Sequence, residues 1–175
     1  MKPEIRIESL SLSHTQELYE LTEANRSYLK MWLPWLDQIK SRDDTQRFIE
    51  SSINNATNGS AAHFAVIHEG VLCGVAGFHE IDNQHRKASI GYWLAEIYTG
   101  RGIMTEVIAE LMKIGFNELK LHKVELRCAE HNHKSRAIAE RIGFTYEASL
   151  RQCEWLYSRF VDHAVYSMLA VEFDS

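Results

Sequence analysis

The stretch "YTGRGIM", Tyr98 to Met104, sets two glycines around an arginine. Apolar residues at helical spacing follow at once: Met104, Val107, Ile108, Leu111 and Met112. The segment before it, "ASIGYWLA", has the character of a strand. Glycine is conformationally costly at a helix start. Two readings are open: the turn is merely tight, or the backbone is left bare for a ligand. The second has a physical basis. The first N–H groups of a helix lack intrahelical partners, and the helix dipole makes that end positive. A phosphate or pyrophosphate suits such a place, and Arg101 adds a charge beside it. The nucleotide-binding pattern G-x-x-x-x-G-K-[ST] is absent, and G-x-G-x-x-G is incomplete.

Three further groups of residues could do chemistry. In "NHKSRAIAERIGF", Asn132 reads as a helix N-cap and Gly143 as the stop. The stretch "CAEHNHKS" gathers Cys128, Glu130, His131 and His133, but the spacing fits no closed zinc pattern, so no metal is expected. The aromatic run "YLKMWLPWL" carries Tyr28, Trp32 and Trp35. Aromatics three or four apart suit a core, whereas Pro34 and the irregular context suit a substrate lip or a partner surface.

These residues must be held by a frame. The chain has 175 residues, 45% hydrophobic and 25% charged, which suits one globular domain over 1–175. Its formal net charge of −5 argues against a nucleic-acid partner. Three widely spaced cysteines give no disulfide framework and point to a reducing cytoplasm. "MKPEIRIESL" has no signal-like apolar core, and no apolar run approaches the length of a membrane span. Strands are predicted at "EIRIESL", "AHFAVIH", "VLCGVAGFHEI", "HRKASIGYWLA", "KVELRCA", "TYEASLRQCEWL" and "FVDHAVYSMLA". Four helices are predicted. The first spans "SHTQELYELTEANRSYL", with Ser13 as cap and Gln16 at capping-box spacing. "DDTQRFIESSINNA" is the second, the segment after the glycine turn to about Glu118 the third, and the Asn132 helix the fourth. The fold expected is mixed α/β: a largely antiparallel, twisted central sheet of about seven strands, with a β-α-β crossover in the middle that contains the glycine turn.

Two stretches in this order, "ASIGYWLAEIYTGRGIMTEVI" and "VELRCAEHNHKSRAIAERIGFTYEA", resemble the GNAT superfamily of acetyl-CoA-dependent N-acetyltransferases. The resemblance covers essentially the whole chain. It is closest to the branch that acetylates ribosomal-protein N-termini, which the aromatic run also resembles. In the family pattern Q/R-x-x-G-x-G/A, backbone amides hold the coenzyme A pyrophosphate. That pattern falls on Thr99, Gly100, Arg101, Gly102, Ile103 and Met104, with Thr105 next. Thr99 and Met104 depart from the usual residue types. The resemblance implies that the backbone of Trp93 and Leu94 pairs with pantetheine and polarises the thioester. It also implies that Asn132 and Ser135 contact the coenzyme.

Amide formation from a thioester needs a neutral amine, a stabilised oxyanion and a thiolate that can leave. An α-amino group titrates near 7.7–8, so a weak base or one acting through water suffices. The resemblance marks Glu154 as that base. Many members place a tyrosine in the helix after Asn132 to protonate the thiolate; this helix has none. Ser135 could donate in its place, or serve the helix cap, or both. The acceptor implied is the N-terminus of a ribosomal or similar protein, with a small amine such as a polyamine or antibiotic as the rival, and a non-catalytic acyl-CoA-binding module as the alternative of another class. The resemblance also suggests a homodimer.

Overall fold

The computed structural model describes residues 4–173; Met1–Pro3, read above with the N-terminal stretch, and the last two residues lie outside the described residues. The strands are β1 (Ile5–Ser9), β2 (Ala62–His68), β3 (Val71–Asp82), β4 (Lys87–Leu94), β5 (Lys123–Ala129), β6 (Thr145–Leu156) and β7 (Arg159–Leu169). They form a seven-stranded sheet in the order β1-β2-β3-β4-β5-β7-β6. Four longer helices accompany it: α1 (Thr15–Ala24), α3 (Arg42–Asn58), α4 (Ile103–Lys113) and α5 (His133–Ile142). Two single turns of helix, α2 (Arg26–Leu29) and α6 (Ala170–Phe173), complete the set of six. A π turn, Ile114–Glu118, continues α4, so that helical segment ends where the sequence places its end.

β2 and β3 are joined by Glu69 and Gly70, both with left-handed backbone (φ 51° and 81°). That is the type I′ geometry which matches the twist of a hairpin. β4 is the middle strand. It pairs antiparallel with β3 and parallel with β5, and every other strand pairing is antiparallel. A parallel pair needs a crossover, and α4 supplies it. The β4–β5 ladder ends at Ile90↔Leu126. Gly91 to Leu94 then run on beside β3 alone, while Arg127 to Ala129 run on beside β7. The sheet therefore parts at its centre.

Each face of the sheet is covered. Ala88, Ile90 and Leu94 of β4 point to one side, where they pack with Val107, Ile108 and Leu111 of α4. Ala65, Ile67 and Val75 point to the other and pack with Leu18 of α1 and Ile49 of α3. Trp93 lies against this second cluster.

The first helix departs from expectation twice. Ser13 is not its cap: the chain first winds a 3-10 turn, Leu12–His14, capped by Ser11, and α1 starts behind His14. His14 Nδ1 accepts the Ser11 N–H at 3.1 Å, the place foreseen for Gln16, whose amide turns instead to Glu20. The helix also breaks at Asn25 (φ −113°, ψ 10°). The Asn25 side chain donates to the Leu21 carbonyl and accepts the Glu96 N–H at 2.9 Å. It thus fastens the break to the segment that follows β4.

Candidate active site

The parting of β4 from β5 opens a cavity of about 580 Å³. Its walls come from four places. Tyr92, Trp93 and Leu94 end β4. Thr99, Gly100 and Gly102 form the glycine turn, which leads into Ile103, Met104 and Thr105. Asn132, Lys134 and Ser135 begin α5. Tyr28, Leu29, Trp32 and Leu33 close the far side.

Gly100 and Gly102 both adopt left-handed backbone, at φ 77° and 79°. A Cβ at either position would meet no atom within 4 Å. The turn therefore needs glycine for its backbone angles, and the space over it is open. Gly102 caps α4 without a side chain, so the first N–H groups of the helix face that space unscreened. Cations ring the place. Arg141 donates to Thr105 Oγ1 at 2.9 Å, and Lys134 Nζ reaches Thr99 Oγ1 at 3.5 Å. Arg101 is not in the wall; its guanidinium lies 5.7 Å from the centre of the Tyr98 ring. Met104 is 5% exposed and packs into the core, so its bulk lies away from the open turn. Bare N–H groups, a side-chain-free turn and basic neighbours fit a pyrophosphate.

Next to the turn, the N–H of Ala95 goes to the Cys73 carbonyl of β3 at 2.8 Å. Successive N–H groups of an extended chain face opposite edges, so the Leu94 N–H faces the gap that β5 leaves. Asn132 caps α5: its Oδ1 accepts the backbone N–H of Ser135 at 3.2 Å. The cap thus engages the Ser135 backbone and leaves the hydroxyl to Tyr92, whose OH is 2.8 Å away. Burial pushes the Tyr92 phenol well above its ordinary range. Tyr92 was not foreseen, because a strand position says nothing about which helix stands above it.

The aromatic loop is fixed from two sides. Arg26 donates to the carbonyls of Leu36 (2.6 Å) and Ile39. The Tyr157 hydroxyl donates to the Leu33 carbonyl and accepts the Leu36 N–H at 3.1 Å. Tyr28 and Trp32 line the cavity, while Trp35 does not. Glu154 is also outside the wall. Its carboxylate meets His163 Nε2 at 3.2 Å, and both side chains are largely covered. β7 places Ala164, Tyr166 and Met168 in the α4-side core, so His163 and its partner Glu154 lie on the opposite face of the sheet.

The residues of "CAEHNHKS" disperse. Cys128 is buried, Glu130 pairs with Arg136 at 3.1 Å, and the rings of His131 and His133 stand edge to face. Among the described residues, no three His, Cys, Asp or Glu side chains gather as a metal site.

Comparison with known proteins bears on the same region. The family described as "Acetyltransferase (GNAT) domain" matches residues 4–145. The chain is 34% identical over 173 residues to the putative ribosomal N-acetyltransferase YdaF of Bacillus subtilis (strain 168), covering 97% of this chain and 93% of that one. It is 28% identical to the ribosomal-protein-serine acetyltransferase of Escherichia coli (strain K12), covering 94% and 92%. Among solved structures, the ribosomal L7/L12 α-N-protein acetyltransferase RimL, in complex with coenzyme A, has a TM-score of 0.92 at 27% identity and covers 94% and 93%. The microcin C7 self-immunity acetyltransferase MccE, in complex with acetyl-CoA and AMP, has a TM-score of 0.90 at 30% identity and covers 95% and 92%.

Proposed function

The chain belongs to the GNAT acetyltransferase family, and from that premise we propose that it transfers acetyl from acetyl-CoA to the N-terminal α-amine of a ribosomal or similar protein. One observation carries the reading: the bare turn over α4, the parted end of β4 and the aromatic loop share one cavity. The coenzyme pyrophosphate lies over Gly100 and Gly102, with Lys134, Arg141 and the first N–H groups of α4 around it. The pantetheine arm runs into the gap beside β4, where the Leu94 N–H meets the thioester oxygen. The acceptor enters by Tyr28 and Trp32.

The neutral amine attacks the carbonyl carbon, and the Leu94 N–H stabilises the oxyanion that forms. Glu154 takes the amine proton by way of water, since its carboxylate rests on His163 and not in the wall. The C–S bond then breaks, and its electron pair leaves on sulfur beside the Ser135 hydroxyl. The residues 1–175 act as one domain. Unpaired Cys73, Cys128 and Cys153, and the lack of a membrane-length apolar helix among the described residues, support work in the cytoplasm.

A small amine is the second reading, favoured by the AMP that accompanies acetyl-CoA in MccE. Incubation with acetyl-CoA and a panel of ribosomal-protein N-terminal peptides, set beside small amines, decides between them. Thiol release with a one-acetyl mass gain on a peptide is the expected result. Acetylation of small amines alone overturns the protein acceptor.

A further inference from the structure

We propose that Tyr92 is a positioning residue for the leaving sulfur: it aims the Ser135 hydroxyl at the thiolate of coenzyme A. This rests on the acetyl-transfer reading above and deepens it. The register of the sheet brings the parts together. On the α4 side, β4 and β5 match Ala88 with Val124 and Ile90 with Leu126. Tyr92 and Cys128 are next in line, just where the strands part, so they flank the opening. α5 begins above them, and its Ser135 hydroxyl lies 2.8 Å from the Tyr92 hydroxyl. Cys128 lies on the same side, its thiol raised by burial, with the Ser135 hydroxyl working against that rise.

A serine hydroxyl has one hydrogen to give and two lone pairs to receive. Near a helix start it commonly turns its hydrogen to a backbone carbonyl. Tyr92 works against that. Its buried phenol holds its proton at neutral pH, and in the proposed arrangement that proton goes to Ser135 Oγ, at 2.8 Å, in preference to the Ser135 carbonyl, at 3.4 Å. Burial also pushes the Cys128 thiol up to about 11, so it too stays protonated. With the phenol donating to Oγ, the Ser135 hydrogen is turned away from Tyr92 and into the cavity, where the sulfur departs. Full proton transfer is not part of the device. A thiol ordinarily titrates near 8.5 and a tyrosine near 10, and serine is weaker still, so taking a proton from either to quench a thiolate runs uphill. The pair stabilises the sulfur anion by a hydrogen bond, and the thiolate takes its proton later from water. Neither Tyr92 nor Ser135 changes charge.

The bound product reports this without any acceptor. The thiol of coenzyme A is titrated on the enzyme by thiolate absorbance, with the desulfo-coenzyme A complex as the blank. Wild type should lower the titration midpoint below that of free coenzyme by about one pH unit, the scale of one hydrogen bond to an anion. Tyr92→Phe should remove at least half of that shift, and Ser135→Ala should remove it too. The double variant should be no worse than Ser135→Ala, because Tyr92 acts through the serine. In turnover, Tyr92→Phe should lose about tenfold in kcat, with KM for acetyl-CoA within about twofold. An equal midpoint in wild type and Tyr92→Phe overturns the proposal and leaves acetyl transfer standing. If Tyr92→Phe fails to fold, Ser135→Ala is read instead, and a midpoint there equal to that of wild type also overturns it. If wild type does not bind coenzyme A, the acetyl-transfer reading falls and this one falls with it.

Discussion

At Gly102, two effects of substitution can be separated. The left-handed backbone (φ 79°) makes any side chain costly, by about 1–2 kcal/mol. The open space above it means that an added side chain would meet a ligand and not the protein. Gly102→Ala and Gly102→Glu share the first cost, and only the glutamate sets negative charge against a pyrophosphate. We expect both variants to melt early, and only Gly102→Glu to lose coenzyme A binding in calorimetry. Wild-type affinity in a folded Gly102→Glu variant would remove the pyrophosphate from this turn. Glu154 is tested by rate. Glu154→Gln keeps the contact with His163 and removes the carboxylate. Turnover should fall by about 10²–10⁴, the usual worth of a general base, with coenzyme affinity intact. Part of the loss should return above about pH 8, where an α-amine is neutral unaided. Turnover within twofold of wild type at pH 7 would show that the amine arrives already deprotonated.

Elements meet through their side chains in ways that set pH dependence. β2 and β3 carry His63 and His79, whose ring nitrogens stand 3.1 Å apart. α3 adds Ser52, with its Oγ 3.0 Å from His63 Nδ1. Burial, with His79 alongside, pushes the His63 imidazole down to about 4. Burial lowers His79 as well, against the pull of Glu80. A histidine lowered by folding stays neutral in the native protein, while the unfolded chain takes up a proton below about 6.5. Stability should therefore be complete above pH 6.5 and decline as pH falls towards 4, by roughly 3 kcal/mol for a shift of this size. His63→Gln keeps a hydrogen-bonding group and cannot titrate. The fall in melting temperature from pH 7 to pH 5 should be smaller in this variant than in wild type. Equal falls would assign the acid sensitivity elsewhere.

Across the whole molecule, what could be read from the sequence was what is decided locally. β2, β5 and β6 begin and end at the residues that alternation and turn chemistry mark, and Asn132 and Gly143 bound α5 as cap and stop. The glycine turn announced itself because φ above zero is a local demand. Contacts made by distant segments were not legible. Asn25 breaks the first helix in order to hold Glu96. Tyr92 finds Ser135 only after α4 has carried the chain across the sheet. Tyr157 is the furthest case. It turns the β6–β7 hairpin with left-handed backbone (φ 58°) and reaches the aromatic loop more than a hundred residues earlier. Its hydroxyl holds Leu33 and Leu36, and Lys30 Nζ sits 4.4 Å from the centre of its ring. Tyr157→Phe keeps the ring and that cation, and removes only the two hydrogen bonds. The Leu36 N–H then loses its partner, at a cost of about 1 kcal/mol. The glycine turn is untouched, so coenzyme A affinity should stay within about twofold. If the loop is the acceptor wall, KM for the peptide should rise about fivefold, the equivalent of 1 kcal/mol of lost order. Steady-state kinetics at saturating acetyl-CoA reads this directly. An unchanged peptide KM, in a variant whose melting temperature has dropped, would make the loop a prop for the fold and send the acceptor to another side of the cavity.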